Sequence, residues 1–244
     1  MALALVTGAY KGLGLEWCRQ LGKDGYTVIL TARRLDKAEP AAKQLAQEGL
    51  TVIPKALDVA DEEGIAQLAN DLGNAYGKLD VLINNAGINA KDDPNPNVVA
   101  QNAKLSMLNP EEILRHVRIN SIAPVLMVKH FRSLLAQSDR PLVVSISSWL
   151  GSISIKTTNL ANYSYSTSKA ALNMMNRAMA IEVKEEGIIA LVVNPGWVVT
   201  DMGGQKATLT PEQSVRGVID NVLNKVTLED SGNFYQWDGT THPW

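Results

Sequence analysis

A single cysteine, Cys18, among 244 residues leaves no partner for an internal disulfide and no Cys-x-x-Cys pair. That usage suits a reducing compartment, and the place of Cys18 inside a helical pattern predicts a buried, unreactive thiol. Neither sign of charge is in excess: 23 Lys and Arg against 25 Asp and Glu give a net charge of −2. The cations are scattered, which argues against a nucleic-acid footprint and against a polybasic membrane surface. No stretch approaches the roughly 20 apolar residues of a membrane span, and the opening "MALALVTG" lacks the basic segment and the length of a signal peptide. No Pro/Gly/Ser-rich linker, charge block, composition shift or internal repeat divides the chain. These absences predict a soluble cytoplasmic protein of one domain, residues 1–244, that works on a small molecule and needs neither nucleic acid, membrane nor metal. With 45% hydrophobic and 20% charged residues, the chain buries a full core without a covalent staple.

Short apolar runs recur at 3–7, 26–31, 51–59, 79–85, 141–147, 188–194 and, more weakly, 233–237. Most are apolar on consecutive residues, the pattern of strands covered on both faces. Helical patterns fill the gaps at 14–23, 35–48, 62–75, 110–136, 164–186 and 211–226. Asn109-Pro110-Glu111-Glu112 and Thr210-Pro211-Glu212-Gln213 each supply a capping side chain and a proline at the first helical position. Alternation of strands and helices predicts an α/β fold with a doubly wound parallel sheet of about seven strands, helices on both faces. The segment 89–108, with two prolines and several Asn and Asp, is read as a loop.

Directly after the first apolar run stands "TGAYKGLG", residues 7–14, with Gly8, Gly12 and Gly14. The spacing differs from G-x-G-x-x-G, but the physical task is the same: a sharp strand-to-helix turn that brings backbone N–H groups and a helix N-terminus to a pyrophosphate. A tight turn with nothing bound would need glycines as well. The second strand ends "ILTARRLD", with Arg33 and Arg34 where NAD-binding units place an acid. Arg33, with Lys11 from the glycine turn, suits the 2′-phosphate of NADP(H), and this favours NADPH over NADH. Solvated surface cations would look the same, and Asp36 is close enough to oppose the phosphate.

A second constellation opens the fifth helical pattern, "YSYSTSK", residues 163–169. Tyr165 lies four positions before Lys169, about 40° away around a helix, whereas Tyr163 points off that face. An ammonium beside a phenol favours the phenolate and draws the tyrosine toward general acid–base work. Ser147 and Ser148 end the preceding strand at its carboxyl edge, where open α/β sheets bind ligands. In the pattern 110–136, Pro124 deprives the carbonyl of Asn120 of its helical N–H partner; a packing kink or a seat for a water both follow from that.

Taken together, these residues resemble the short-chain dehydrogenase/reductase family. "TGAYKGLG" is similar to its T-G-x-x-x-G-x-G turn and "NNAG" (84–87) to its N-N-A-G motif. Asn120, Ser148, Tyr165 and Lys169 match its tetrad, and "NPGWVVT" (194–200) its P-G-x-x-x-T segment. "SSWLGSI" (147–153), "NPGWVVTDMGG" (194–204) and "DGTTHPW" (238–244) resemble the C-factor and sniffer-type carbonyl reductase branch.

The resemblance implies a single Rossmann-type domain and NADPH-dependent reduction of ketones, aldehydes, dicarbonyls or quinones by hydride transfer. In that picture Tyr165 is the acid, Lys169 holds the nicotinamide ribose and lowers the tyrosine pKa, Ser148 positions the carbonyl, and Asn120 anchors a relay water. Cofactor contacts would come from Gly8, Tyr10, Lys11, Gly12, Leu13 and Gly14, from Arg33, Asp58 and Val59, and from Asn85, Ala86 and Gly87. Tyr165, Lys169, Pro195, Gly196, Val198 and Thr200 would complete them. A homodimer or homotetramer through the two helices of 110–136 and 164–186 is implied as well. One departure from the family is the 17-residue separation of Ser148 and Tyr165, longer than usual, which leaves the substrate open. The competing function is a non-catalytic dinucleotide-binding signal or sensor protein of C-factor type, which a lost Tyr or Lys would have favoured. An epimerase or dehydratase needs a larger substrate domain than the 44 residues after "NPGWVVT". Trp149, Leu150 and Trp197 hint at an apolar or aromatic substrate.

Overall fold

The computed structural model describes residues 2–90, 93–157 and 162–244. Seven parallel strands form one sheet in the order β3-β2-β1-β4-β5-β6-β7. They are β1 (Leu3–Val6), β2 (Thr27–Ala32), β3 (Val52–Ala56), β4 (Val81–Asn84), β5 (Leu142–Ile146), β6 (Ile189–Asn194) and β7 (Phe234–Gln236). The helices between them are α1 (Gly12–Lys23), α2 (Leu35–Gln47), α3 (Glu62–Tyr76), α4 (Pro96–Ala103), α5 (Pro110–Val117), α6 (Ala123–Leu135), α7 (Tyr163–Val183) and α8 (Pro211–Val218).

The consecutive apolar runs are explained by the two cores they serve. Side chains alternate across a strand, so Val6, Leu30, Ile83, Val144 and Val193 pack on one face with Trp17 of α1, Leu45 of α2 and Val215 of α8. Their neighbours Leu5, Ile29, Leu82, Val143 and Ala190 pack on the other with Ile65 of α3, Phe131 of α6 and Met179 of α7. Only β3 has no fully buried residue, four being half-buried and Ala56 exposed; it is an edge strand and accommodates Pro54, which no central strand could. Cys18 lies fully inside the first core, where burial pushes its thiol pKa up, as expected of an inert side chain.

Three local expectations are refined. Residues 96–103, read as loop, form α4: Asn95 caps it by accepting from the Asn97 N–H at 3.0 Å, with Pro96 in the first turn. The pattern 110–136 is interrupted by a π turn, Arg118–Ile122, one residue ahead of Pro124, whose missing N–H breaks the regular helical hydrogen-bond ladder at this point. The last helical pattern ends its α geometry at Val218 and continues as a π turn, Ile219–Leu223. Both predicted caps are present, Asn109 on the Glu111 N–H at 3.0 Å and a reciprocal Thr210–Gln213 box. No helix among the described residues is long and apolar enough to cross a membrane.

Candidate active site

The order of the strands brings the carboxyl ends of β1, β4, β5 and β6 side by side, and every predicted site residue except Arg33, Asp58 and Val59 follows one of these ends or faces it from a helix. The glycine turn leaves β1 with Gly8 at φ 62° and Gly12 at φ 57°, a left-handed conformation that side-chain-bearing residues rarely hold. At Gly14 the constraint is space. A Cβ there would stand 2.6 Å from Asn85 Nδ2 and 2.7 Å from the Gly8 carbonyl oxygen. Asn85 is the seam of the turn, donating through Nδ2 to the carbonyls of Thr7 (2.9 Å) and Gly8 (3.1 Å). Thr7 Oγ1 returns the tie by accepting from the backbone N–H groups of Asn85 and Ala86, each at 3.0 Å. Thr7 was not singled out in the sequence; its signal is a threonine at the end of a buried strand just before a glycine turn.

Tyr10 and Leu13 are half-buried against the first core. The N-terminus of α1 carries no side-chain cap and no acid in its first turn, so its N–H groups and positive dipole end suit an anion. Lys11 is not free: its ammonium spans the cleft to Asp201 Oδ2 at 2.6 Å. From the same far lip, Thr200 Cγ2 lies 3.5 Å from the position of a Cβ on Gly12. Thr200 Oγ1 also accepts from the Gly203 N–H at 3.0 Å. Pro195, Gly196 and Val198 carry the chain across between β6 and that lip, with Val198 buried and bridged to Leu209.

At the end of β2 the two arginines differ. Arg34 is tied to Asp36, its Nε donating to Oδ1 at 2.9 Å. Arg33 is exposed and, among the described residues, has no carboxylate partner. Asp36 is therefore neutralised by Arg34 and does not oppose Arg33. Asp58 is exposed and caps its own turn through the Ala60 N–H, while Val59 is buried in the wall of a groove of about 820 Å³ shared with Arg118 and Ile122.

The tetrad positions converge. Lys169, 5% exposed, donates to the Ile146 carbonyl oxygen at 2.7 Å, and its Nζ lies 5.6 Å from the centre of the Tyr165 ring. Burial pushes its pKa down to about 8, because a desolvated ammonium is disfavoured. Asn120 is buried in the π turn and holds the strand exit by both ends: Oδ1 accepts from the Ile88 N–H and Nδ2 donates to the Ile88 carbonyl, each at 2.9 Å. Nδ2 also reaches Ser168 Oγ at 2.9 Å, and that hydroxyl donates to the Tyr165 carbonyl at 2.8 Å. Ser168, missed in the sequence, links the two helices; it is legible only as the residue one helical turn beyond Tyr165. Gly87 sits between Asn120 and Lys169, a Cβ on it falling 3.2 Å from Asn120 Oδ1 and 3.8 Å from Lys169 Nζ. Of the two serines after β5, Ser147 is spent on Asn173 Oδ1 at 2.7 Å. Ser148 Oγ accepts from the Leu150 N–H at 3.2 Å, which leaves its own proton available. Trp149 and Leu150 are half-buried beside it, and Trp197 on the far lip is exposed, with its Nε1 donating to the Gly203 carbonyl. The lengthened stretch before Tyr165 includes residues 158–161, which lie outside the described residues.

Residues 2–210 match the model of the short chain dehydrogenase family. The 1-hydroxy-2-glutathionyl-2-methyl-3-butene dehydrogenase of Rhodococcus sp. (strain AD45) is 33% identical over the full length of both chains. Among solved structures, the NADPH-bound carbonyl reductase from chicken fatty liver superposes with a TM-score of 0.88 at 29% identity, covering 100% of both chains. The carbonyl reductase Sniffer of D. melanogaster gives 0.87 at 26% identity over 100% of this chain and 99% of that one.

Proposed function

The chain belongs to the short chain dehydrogenase family, and we propose that it is an NADPH-dependent oxidoreductase that reduces ketones, aldehydes, dicarbonyls or quinones. The observation that carries this reading is the buried Lys169 ammonium held against the Ile146 carbonyl and beside the Tyr165 ring. The bound cofactor supplies a hydride to the carbonyl carbon. Tyr165 gives its phenolic proton to the carbonyl oxygen as negative charge develops there, and the nearby ammonium stabilises the phenolate that remains. Ser148 donates its hydroxyl proton to the same oxygen and fixes its direction. Asn120 sets the π turn whose carbonyl, deprived of a helical partner by Pro124, seats a water that returns the proton through Lys169.

The glycine turn and the uncapped start of α1 fit a pyrophosphate, and Arg33 fits a 2′-phosphate. Lys11 contributes there on release from Asp201. A non-catalytic binding role would use Lys169 for the ribose alone and give Tyr165 and the free Ser148 hydroxyl no task; the intact set favours catalysis. The same reading pairs copies of the chain through α5–α7, where Ile122, Met174 and Ile181 are 37%, 70% and 69% exposed, with Met174 and Ile181 seven apart on one helix face.

The test is NADPH oxidation against a panel of aromatic ketones, aldehydes, α-dicarbonyls and quinones, with Tyr165→Phe run beside the wild type. The variant is expected to bind NADPH normally and to lose roughly 10²- to 10⁴-fold in turnover. Equal turnover in the two proteins would remove Tyr165 from the proposed role.

A further inference from the structure

Beyond β7 the chain turns at Gly239 and runs back along the strand it has just left. The Gln236 N–H donates to the Thr240 carbonyl at 2.8 Å and the His242 N–H to the Phe234 carbonyl at 2.7 Å. The buried imidazole of His242 stacks on Phe234, with centroids 4.4 Å apart and planes 16° from parallel, and the Trp244 ring lies 5.4 Å from the same phenyl. This anchoring aims the main-chain oxygen of Trp244 at the segment after Ser148. Three donors converge on it: the Ser154 N–H at 3.0 Å, Ser152 Oγ at 2.9 Å and Ser154 Oγ at 2.6 Å. The receiving segment in turn lies flush on the catalytic helix. A Cβ on Gly151 would stand 2.8 Å from both the carbonyl carbon and the Cβ of Lys169, and Asn173 Nδ2 reaches the Gly151 carbonyl at 3.3 Å.

We propose that residues 240–244 form a clamp, with the Trp244 main-chain oxygen as its jaw, that positions the segment Trp149–Ser154 as the wall against which a bulky substrate binds. The proposal rests on the carbonyl reductase reading above. Ser148 and Gly151 hold the near end of this segment, and the Trp244 oxygen holds the far end. Within the near end, next to the Ser148 hydroxyl and directly before the clamped serines, stand the half-buried apolar residues Trp149 and Leu150. Past Ser154 the described backbone bonds are short-range, Lys156 N–H to the Ile153 carbonyl and Thr157 N–H to the Ile155 carbonyl, so among the described residues up to Thr157 the clamp is the last long-range main-chain tie of this segment. Trp244 is thus a positioning residue; it acts through the segment and reaches no reacting atom.

Two variants of the whole protein separate the bonds from the packing. One stops at Pro243, and the other, Ser152→Ala with Ser154→Ala, keeps the tail and removes two of the three donors. Losing two hydrogen bonds is expected to raise KM for a bulky aromatic ketone about tenfold, with kcat on a small aldehyde and NADPH affinity held within about twofold of wild type. Unchanged KM in both variants would overturn the clamp. So would a rise in KM for every substrate together with falls in kcat and NADPH affinity, the signature of general loosening. Hydrogen exchange at the Ser154 amide in cofactor-free protein gives a readout independent of turnover. It should be slow in the wild type and at least tenfold faster when the chain stops at Pro243; equal rates would overturn the proposal. A wild type inert toward every carbonyl would sink the reductase reading while the exchange result still decided the clamp.

Discussion

Lys169 should make the cofactor-free protein more stable as the solution becomes mildly alkaline. Its ammonium titrates near 8 in the fold against 10.5 for an ordinary lysine. Between these values the unfolded chain holds a proton that the native state has released. Unfolding then takes up a proton, and raising the pH favours the native form. The same linkage gives almost nothing at pH 7, where both states are protonated, and about 1.3 kcal/mol by pH 9. Other groups titrate over this window, so the quantity to measure is a difference. Urea unfolding would be followed for the protein and for Lys169→Met, both carrying Tyr165→Phe so that the neighbouring phenol contributes no proton. The gap in unfolding free energy should shift toward the lysine protein by about 1.3 kcal/mol from pH 7 to pH 9. The Ile146 carbonyl keeps its hydrogen bond throughout, because a neutral amine still donates. A gap that stays constant, or moves the other way, would refute the argument that burial dominates the environment of Lys169.

Three further outcomes are expected. Arg33→Asp should weaken NADPH binding roughly ten- to a hundredfold and NADH binding little, checked by fluorescence titration; equal losses would place the 2′-phosphate elsewhere. Gly14→Ala should cost about 1–3 kcal/mol of stability by overpacking and weaken cofactor binding, because the clash is with the Gly8 and Ala9 backbone as well as the Asn85 amide; an unchanged melting temperature would show that the turn yields more easily than its contacts suggest. Light scattering at micromolar concentration should return a multiple of 26.4 kDa, and Met174→Glu with Ile181→Glu should reduce it to one copy; a monomeric wild type removes the α5–α7 pairing.

The strands and most helices were legible because their cause is local. An apolar run flanked by turn residues, or a side-chain cap followed by proline, carries its instruction within ten residues. The missed helix α4 used the same instruction, Asn95-Pro96, that was read correctly at Asn109-Pro110; its surrounding Asn and Asp content masked it. Pro124 announced the break in the long helix, but the π turn that answers it depends on Asn120 and Ser121 being drawn toward Ser168 on α7.

In the site, the motifs were visible and the pairings were not. Lys11 and Asp201 are 190 positions apart, and no local pattern predicts that the turn's cation is engaged by the opposite lip. The choice between Arg33 and Arg34 likewise turned on which side chain folds back to Asp36. Ser147 and Ser148 look alike in sequence, and only the packing of Asn173 under β5 decides which hydroxyl remains available.

The place of β4 beside β1, stitched by Thr7 and Asn85, also orders events during synthesis. The glycine turn leaves the ribosome ahead of the residues that give it shape, Asn85 and Ala86, which follow more than seventy positions later. Such distant pairing is slow and entropically costly. A nascent chain ending within α3 would therefore carry the complete glycine sequence and no phosphate cradle, and the affinity of the turn is acquired only when the fourth strand docks beside the first.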